Sequence, residues 1–194
     1  MKRICVYAAS NPGTHPEYAD AAVRLGQAIA RRGCDLIYGG SKLGLMGKVA
    51  DEAMRCGGKV IGIMPRGLFR AEIEHTGLTE FHEVESMHER KAKMAELSDA
   101  FVALPGGLGT FDELFEAACW SQIGIHSKPI GLLNVRGFYE PLLQMLQHTA
   151  REGFMKEASL HLFVVESDPD KLLDRLAAYR PIDAGNKWME LPSS

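Results

Sequence analysis

Between residues 103 and 113 the chain reads ALPGGLGTFDE, with Gly106, Gly107 and Gly109 set just ahead of Thr110, Asp112 and Glu113. Glycine lets backbone amides come close to a ligand, and a helix N-terminus favours negative charge. Gly106, Gly107, Leu108, Gly109 and Thr110 therefore suit a phosphate group. Glu113 follows as a carboxylate able to move a proton or steady a developing positive charge. The spacing is neither Walker A nor G-x-G-x-x-G, and no lysine follows the last glycine, so nucleoside triphosphate hydrolysis of that kind is not expected. A tight turn into a helix, with no ligand, fits the loop equally well. Thr110-x-x-Glu113 also fits a capping box, in which the glutamate bonds back to a backbone amide.

A second constellation is SMHERKAKM, residues 86–94. Ser86 and Glu89 make a capping-box pattern, which starts a helix near Met87. Met87, Arg90, Lys91, Met94 and Leu97 then share one stripe, so two cations stand where an amphipathic helix carries apolar residues. Either their stems snorkel past the core or their heads reach an anionic ligand, for which arginine offers a bidentate fork. A third piece, YGGSKLGLMG at residues 38–47, places Gly39 and Gly40 after a strand and Gly44 and Gly47 at the start of a helix. Glycine loops after different strands point to a shared crevice.

The elements that must position these residues alternate along the whole chain. Apolar runs at 4–8, 36–38, 60–64, 81–84, 100–104, 130–133 and 162–165 read as strands. Helical spacing covers 16–31, the stretch up to 55, the segment from 87, the segment after the quoted loop, 138–152 and 169–179, while 65–79 reads as a loop. Such alternation predicts an α/β fold, a mostly parallel, doubly wound sheet of about seven strands with helices on both faces. The loops bearing the glycines then lie at the carboxyl ends of their strands, where open sheets bind ligands. One domain is expected over 1–180, with 181–194 as a surface tail that Trp188 pins down. In the helix after the quoted loop, Phe111, Leu114, Phe115 and Ala118 form the expected core face, opposite Glu113, Glu116 and Trp120. A tryptophan away from the core predicts cover by a second subunit.

Composition narrows the function classes. The 194 residues are 46% hydrophobic and 24% charged, enough for a sizeable core, and the net charge of −3 with no basic block argues against nucleic-acid binding. No apolar stretch approaches the roughly 18 residues of a membrane span. The N-terminal apolar run is too short for a signal peptide. Cys5, Cys34, Cys56 and Cys119 form no C-x-x-C pair and read as reduced, mostly buried thiols of a cytoplasmic protein. The seven histidines are dispersed, so no metal site is expected.

Taken together, the three motifs resemble those of a known family. PGGLGTFDE is similar to the PGGxGTxxE signature of the Lonely Guy family, the cytokinin riboside 5′-monophosphate phosphoribohydrolases. SMHERK resembles that family's M-x-x-R-K motif, and YGGSKLGLMG its YGGGxxGLMG loop. The resemblance runs in order from about residue 3 to Val165. It implies a Rossmann-like fold, a homodimer, no cofactor, and cleavage of the N-glycosidic bond of nucleoside 5′-monophosphates. It places the catalytic pair on Arg90 and Glu113. The positions contacting substrate fall on Glu72, Met87, Lys91, Gly39, Gly40, Cys119 and the run Gly106 to Thr110. Similar sequences also carry the label lysine decarboxylase, but no pyridoxal-phosphate signature supports it here. Ser41 stands in place of the family's third loop glycine, Asp112 where glutamate is common, and Cys119 where threonine is frequent. The competing readings are a non-catalytic nucleotide carrier or sensor and a broader nucleotide nucleosidase.

Overall fold

Strand β1 (Arg3–Tyr7) is apolar from Ile4 onward, as a strand covered on both sides must be, and it sits at the centre of the sheet. The computed structural model describes residues 1–67 and 75–181. After β1 come α1 (Pro16–Arg31), β2 (Asp35–Tyr38), α2 (Gly44–Arg55), β3 (Val60–Pro65) and β4 (Glu80–Val84). Then follow α3 (Met87–Leu97), β5 (Ala100–Ala103), α4 (Leu108–Gln122), β6 (Ile130–Leu133), α5 (Glu140–Arg151), β7 (Phe163–Glu166) and α6 (Pro169–Ala177). The seven strands run in the order β4-β3-β2-β1-β5-β6-β7, and every neighbouring pair is parallel. The expected doubly wound, single-domain α/β architecture is thus the observed one.

Alternate strand residues feed two cores. On one face Ile4, Val6, Leu36 and Tyr38 pack against α1, α2 and α6 through residues such as Leu25, Val49 and Leu172. On the other, Cys5, Tyr7, Ile37 and Phe101 meet α3, α4 and α5 through Met94, Leu114 and Leu142. The chain winds outward from β1 through β4, returns to β5 beside β1, and then winds the other way. That reversal opens a crevice between the loops after β1 and β5, the switch point where such sheets bind ligands.

Three expectations need correction. In α4 the buried residues are Thr110, Glu113, Leu114, Ala117 and Ala118, whereas Phe111 and Phe115 are only half-buried. Glu113 therefore faces inward, because a charged partner from α3 meets it there. Trp120, expected on the outer face, packs in part against the core. Of the thiols only Cys5 and Cys34 are buried; Cys56 ends α2 and Cys119 lies on the outer side of α4, both exposed. The tail from residue 182, with Trp188, and Glu72 lie outside the described residues. Among the described residues no helix is long and apolar enough to cross a membrane.

Candidate active site

A cavity of about 470 Å³ opens at the switch point. Its walls are Ala8, Ala9, Ser10 and Asn11 after β1, Gly39, Ser41, Leu43 and Met46 after β2, and Met64 of β3. Met87 and Arg90 come from α3, and Gly107, Leu108, Gly109, Thr110 and Glu113 from the start of α4.

Arg90 is the most constrained of these. Ser86 caps α3 by accepting the Glu89 amide, and Glu89 answers by accepting the Glu85 amide, so the helix start is fixed and Arg90 points under the sheet edge. Its Nε donates to the Ile63 carbonyl at 3.0 Å, Nη2 to the Gly39 carbonyl at 3.3 Å, and Nη1 to Glu113 Oε1 at 3.0 Å. A guanidinium has five N–H groups. Among the described residues these contacts leave one on each terminal nitrogen, on a side chain that lines the cavity. The pair is deeply buried, with side-chain exposures of 8% and 9%. Burial pushes the Glu113 carboxyl up to about 7, with Arg90 and Lys91 pulling it down and Asp112 adding to the rise. It is poised to exchange a proton near neutrality.

The capping-box reading of Thr110 and Glu113 does not hold. The helix begins at Leu108 with Gly107 as its N-cap, no side chain caps it, and Glu113 points to Arg90. Phe111 N donates to the Gly107 carbonyl, closing the first turn. The amides of Leu108, Gly109 and Thr110 have no helical acceptor, and all three residues line the cavity. This end of α4 is the site's anion-attracting element. The start of α2 is not. There Leu45 and Met46 amides donate to the Ala9 carbonyl at 3.0 and 3.2 Å, and the Leu43 amide donates to Ser41 Oγ. The two glycine loops do share a crevice, but the first supplies walls.

The glycines divide in the same way. A Cβ on Gly39 would stand 1.8 Å from Arg90 Nη2, and one on Gly106 2.1 Å from Thr110 Oγ1. Those positions are small so that functional side chains fit. Among the described residues, a Cβ on Gly107 or Gly109 would meet nothing within 4 Å. They leave the backbone open to the cavity.

Of the residues expected at the site, Gly39, Met87, Arg90, Gly107, Leu108, Gly109, Thr110 and Glu113 come together. Gly40, Gly106, Lys91 and Cys119 do not line this cavity. Gly40 turns away at φ +78° against β3, and Gly106 borders a smaller adjoining hollow. Lys91 is engaged with Asp112 and Glu116, and Cys119 faces outward. Asp112 is exposed and ion-paired with Lys91. Sequence reasoning missed Ser10, Asn11, Leu43, Met46 and Met64. The Ser10-Asn11-Pro12-Gly13 turn after the first strand was the available signal for the first two, since it must abut the switch point.

Fold and site define a class: a Rossmann-like protein whose cleft joins a buried arginine–glutamate pair to an uncapped helix N-terminus. A family model described as "Possible lysine decarboxylase" matches residues 46–176. The chain is 48% identical over 182 residues to a probable cytokinin riboside 5′-monophosphate phosphoribohydrolase of Oryza sativa subsp. japonica, covering 94% of this chain and 80% of that one. It is 45% identical over 185 residues to a cytokinin riboside 5′-monophosphate phosphoribohydrolase of Arabidopsis thaliana, covering 95% and 81%. Among solved structures it resembles the molybdenum cofactor carrier protein of Chlamydomonas reinhardtii, with TM-score 0.69, 25% identity, and coverage of 92% of this chain and 99% of that one. The chain belongs to the Lonely Guy family, the cytokinin riboside 5′-monophosphate phosphoribohydrolases. The decarboxylase description finds no support in the site. Pyridoxal phosphate is held by a lysine Schiff base, and among the described residues no lysine lines this cavity.

Proposed function

We propose that this protein hydrolyses the N-glycosidic bond of cytokinin riboside 5′-monophosphates and of AMP, releasing the free base and ribose 5-phosphate. The observation that carries the reading is the 3.0 Å Arg90–Glu113 pair, buried in the wall of the same cavity that receives the free amides of α4. The 5′-phosphate sits on the amides of Leu108, Gly109 and Thr110, approached closely over Gly107 and Gly109. The ribose then lies against Glu113. As the bond from C1′ to the base nitrogen breaks, positive charge builds on the sugar, as in other glycosidic hydrolyses. The Glu113 carboxylate stabilises that charge and accepts a proton from the water whose oxygen bonds to C1′. The departing base takes up a proton from solvent, and Glu113 returns to solvent the one it took from the attacking water, so the reaction consumes one water and no net proton. Arg90 fixes the carboxylate and offers its two remaining N–H groups to the ligand.

The protein works as a homodimer in the cytoplasm. Support comes from Leu108 at the start of α4 and Ile125 in the turn after it, which expose 88% and 62% of their surface, an arrangement that a second copy would cover. The other reading, a non-catalytic carrier, is favoured by the likeness to the molybdenum cofactor carrier.

Incubation of the purified protein with isopentenyladenosine 5′-monophosphate, AMP and the matching nucleosides separates these. Free base and ribose 5-phosphate are expected from the nucleotides, with the nucleosides far poorer substrates. Equal turnover of nucleoside and nucleotide overturns the phosphate role. Tight nucleotide binding without any base release establishes the carrier.

A further inference from the structure

Ser41 stands in the loop after β2, in place of the family's third loop glycine, and it lines the cavity while only 4% exposed. Its Oγ accepts the Leu43 amide at 3.1 Å. That bond uses one acceptor position and leaves the hydroxyl hydrogen to donate. Among the described residues no acceptor meets it. The neighbouring carbonyls are engaged: that of Gly39 accepts Arg90 Nη2, and that of Gly40 accepts the His75 amide. Buried polar groups are as a rule paired, so a donor left over in a cavity wall is matched to something that enters the cavity.

The order of the sheet says which part of a nucleotide reaches it. Four neighbouring strands run β3, β2, β1, β5, and α4 with its uncapped start follows β5. With the phosphate at that end and the ribose against Glu113, the base extends toward β2 and β3. The walls there are Leu43, Met46, Met64 and Met87. Aliphatic and thioether side chains suit the faces of a flat heteroaromatic ring. Among the described residues, Ser41 and Arg90 are the only polar side chains that the β2 loop, β3 and α3 bring to the cavity. Arg90 turns to Glu113. The edge of the ring is left to Ser41.

We propose that Ser41 is a specificity-determining residue, whose hydroxyl donates a hydrogen bond to a ring nitrogen of the purine base. This rests on the placement of phosphate and ribose given above. The Leu43 amide bonded to Oγ polarises the O–H and strengthens it as a donor. As the bond from C1′ breaks, its electron pair passes into the base and makes the ring nitrogens more basic. The hydrogen bond strengthens with that charge, so it favours the transition state over the bound substrate. The hydroxyl keeps its own proton, and the proton that the base gains still comes from solvent.

The test removes the hydroxyl and, separately, its partner. The φ of Ser41 is not in the left-handed region, so alanine suits the backbone. Binding is measured by calorimetry in a Glu113→Gln background, which keeps the ligand intact, with and without Ser41→Ala. The ligands are AMP, its 1-deaza, 3-deaza and 7-deaza analogues, each with one ring nitrogen replaced by C–H, and ribose 5-phosphate. Ser41→Ala is expected to weaken AMP about fivefold, while ribose 5-phosphate, which has no base, stays within about twofold. One of the three analogues should bind alike with and without the hydroxyl, because it has lost the partner. With Glu113 in place, Ser41→Ala should also lower kcat for AMP about tenfold.

A serine that only holds the Leu43 turn gives another pattern. The loss then persists with all three analogues, or ribose 5-phosphate weakens as much as AMP. Either result overturns the proposal, as does an unchanged affinity for AMP in Ser41→Ala. Should Ser41→Ala fail to fold, Ser41→Gly replaces it. If neither folds, the protein with Ser41 decides alone: one analogue must bind about fivefold more weakly than AMP, and equal binding of all three overturns the bond. A protein with Glu113 in place that binds AMP and releases no base ends the hydrolase reading, and the binding series still decides the role of Ser41.

Discussion

Gly39→Ala separates a glycine that serves a ligand from one that serves an arginine. The φ of Gly39 is not in the left-handed region, so alanine is compatible with the backbone itself. The new methyl, however, would lie 1.8 Å from Arg90 Nη2, 3.0 Å from Cζ and 3.2 Å from Met46 Sδ. Ordinary contact begins near 3.5 Å, so the guanidinium must retreat by about 1.5 Å. Its tether to Ile63 and its burial leave no room to swing aside while keeping the other bonds. The bond to the Gly39 carbonyl goes first, and the alignment with Glu113 follows. Loss of one hydrogen bond to a charged group costs about 2 kcal/mol. For a chain of this length that lowers Tm by roughly 4–8 °C, leaving the protein folded. The same displacement near reacting atoms is expected to lower kcat about 100-fold.

The assay is steady-state base release from AMP, with calorimetric melting on the same samples. Adding Gly39→Ala to an Arg90→Met background should have almost no further effect on kcat, since the methyl acts only through the arginine. Near-normal kcat in Gly39→Ala, or full additivity with Arg90→Met, would refute the assignment of Gly39 to the Arg90 seat.

Gly107→Ala makes the contrasting case. Its Cβ meets nothing among the described residues within 4 Å, so the melting temperature should hold while KM for AMP rises about tenfold or more as the methyl blocks the phosphate approach. Glu113→Gln removes the charge at the reacting sugar, and kcat should fall about 100-fold or more. The raised Glu113 carboxyl, at about 7 in the folded protein against an ordinary 4.5, fixes two pH signs. kcat climbs as pH rises through 7, because the carboxylate is the working form. Stability falls over the same window from 4.5 to 7, because the folded state holds a proton that the unfolded state has released. Melting curves across that range should show the slope in the parent and lose it in Glu113→Gln. His126 has the opposite sign. Burial first, then Lys128, pulls its imidazole below 6.5, against a hydrogen bond to the Ala117 backbone that raises it. Stability is therefore lost as pH falls below 6.5, and His126→Gln should flatten the acid limb of a urea-denaturation series.

How far the site was legible in the sequence depends on which property each residue type encodes. The parallel sheet and the crevice followed from alternation, because apolar runs such as Ile4–Tyr7 and Ala100–Ala103 have few other uses. The α3 start was legible because the Ser86–Glu89 cap is local. The same pattern at Thr110 and Glu113 misled, since nothing local distinguishes a glutamate that caps its own helix from one paired with Arg90 twenty-three positions earlier. For the same reason helical periodicity set Glu113 on the outer face of α4. Periodicity ranks residues by affinity for oil, and a buried ion pair is stabilised by its partner instead. It is the poorly amphipathic helices, α3 and α4, that carry the pair.

The glycines pose the harder case. Gly39, Gly44, Gly47 and Gly106 are small because protein atoms crowd the place a Cβ would take: it would stand 1.8 Å from Arg90 Nη2, 2.2 Å from the Ser10 carbonyl carbon, 2.0 Å from the Lys42 oxygen and 2.1 Å from Thr110 Oγ1, respectively. Gly107 and Gly109 have no such neighbour among the described residues, whose packing gives no reason for their size. In sequence all of them spell one letter, and both loops read as phosphate cradles. What separates them is the source of the excluded volume. Where the fold supplies it, the glycine is architecture and its replacement is felt in Tm. Where the fold supplies none, the volume is left for a ligand, and replacement is felt in KM.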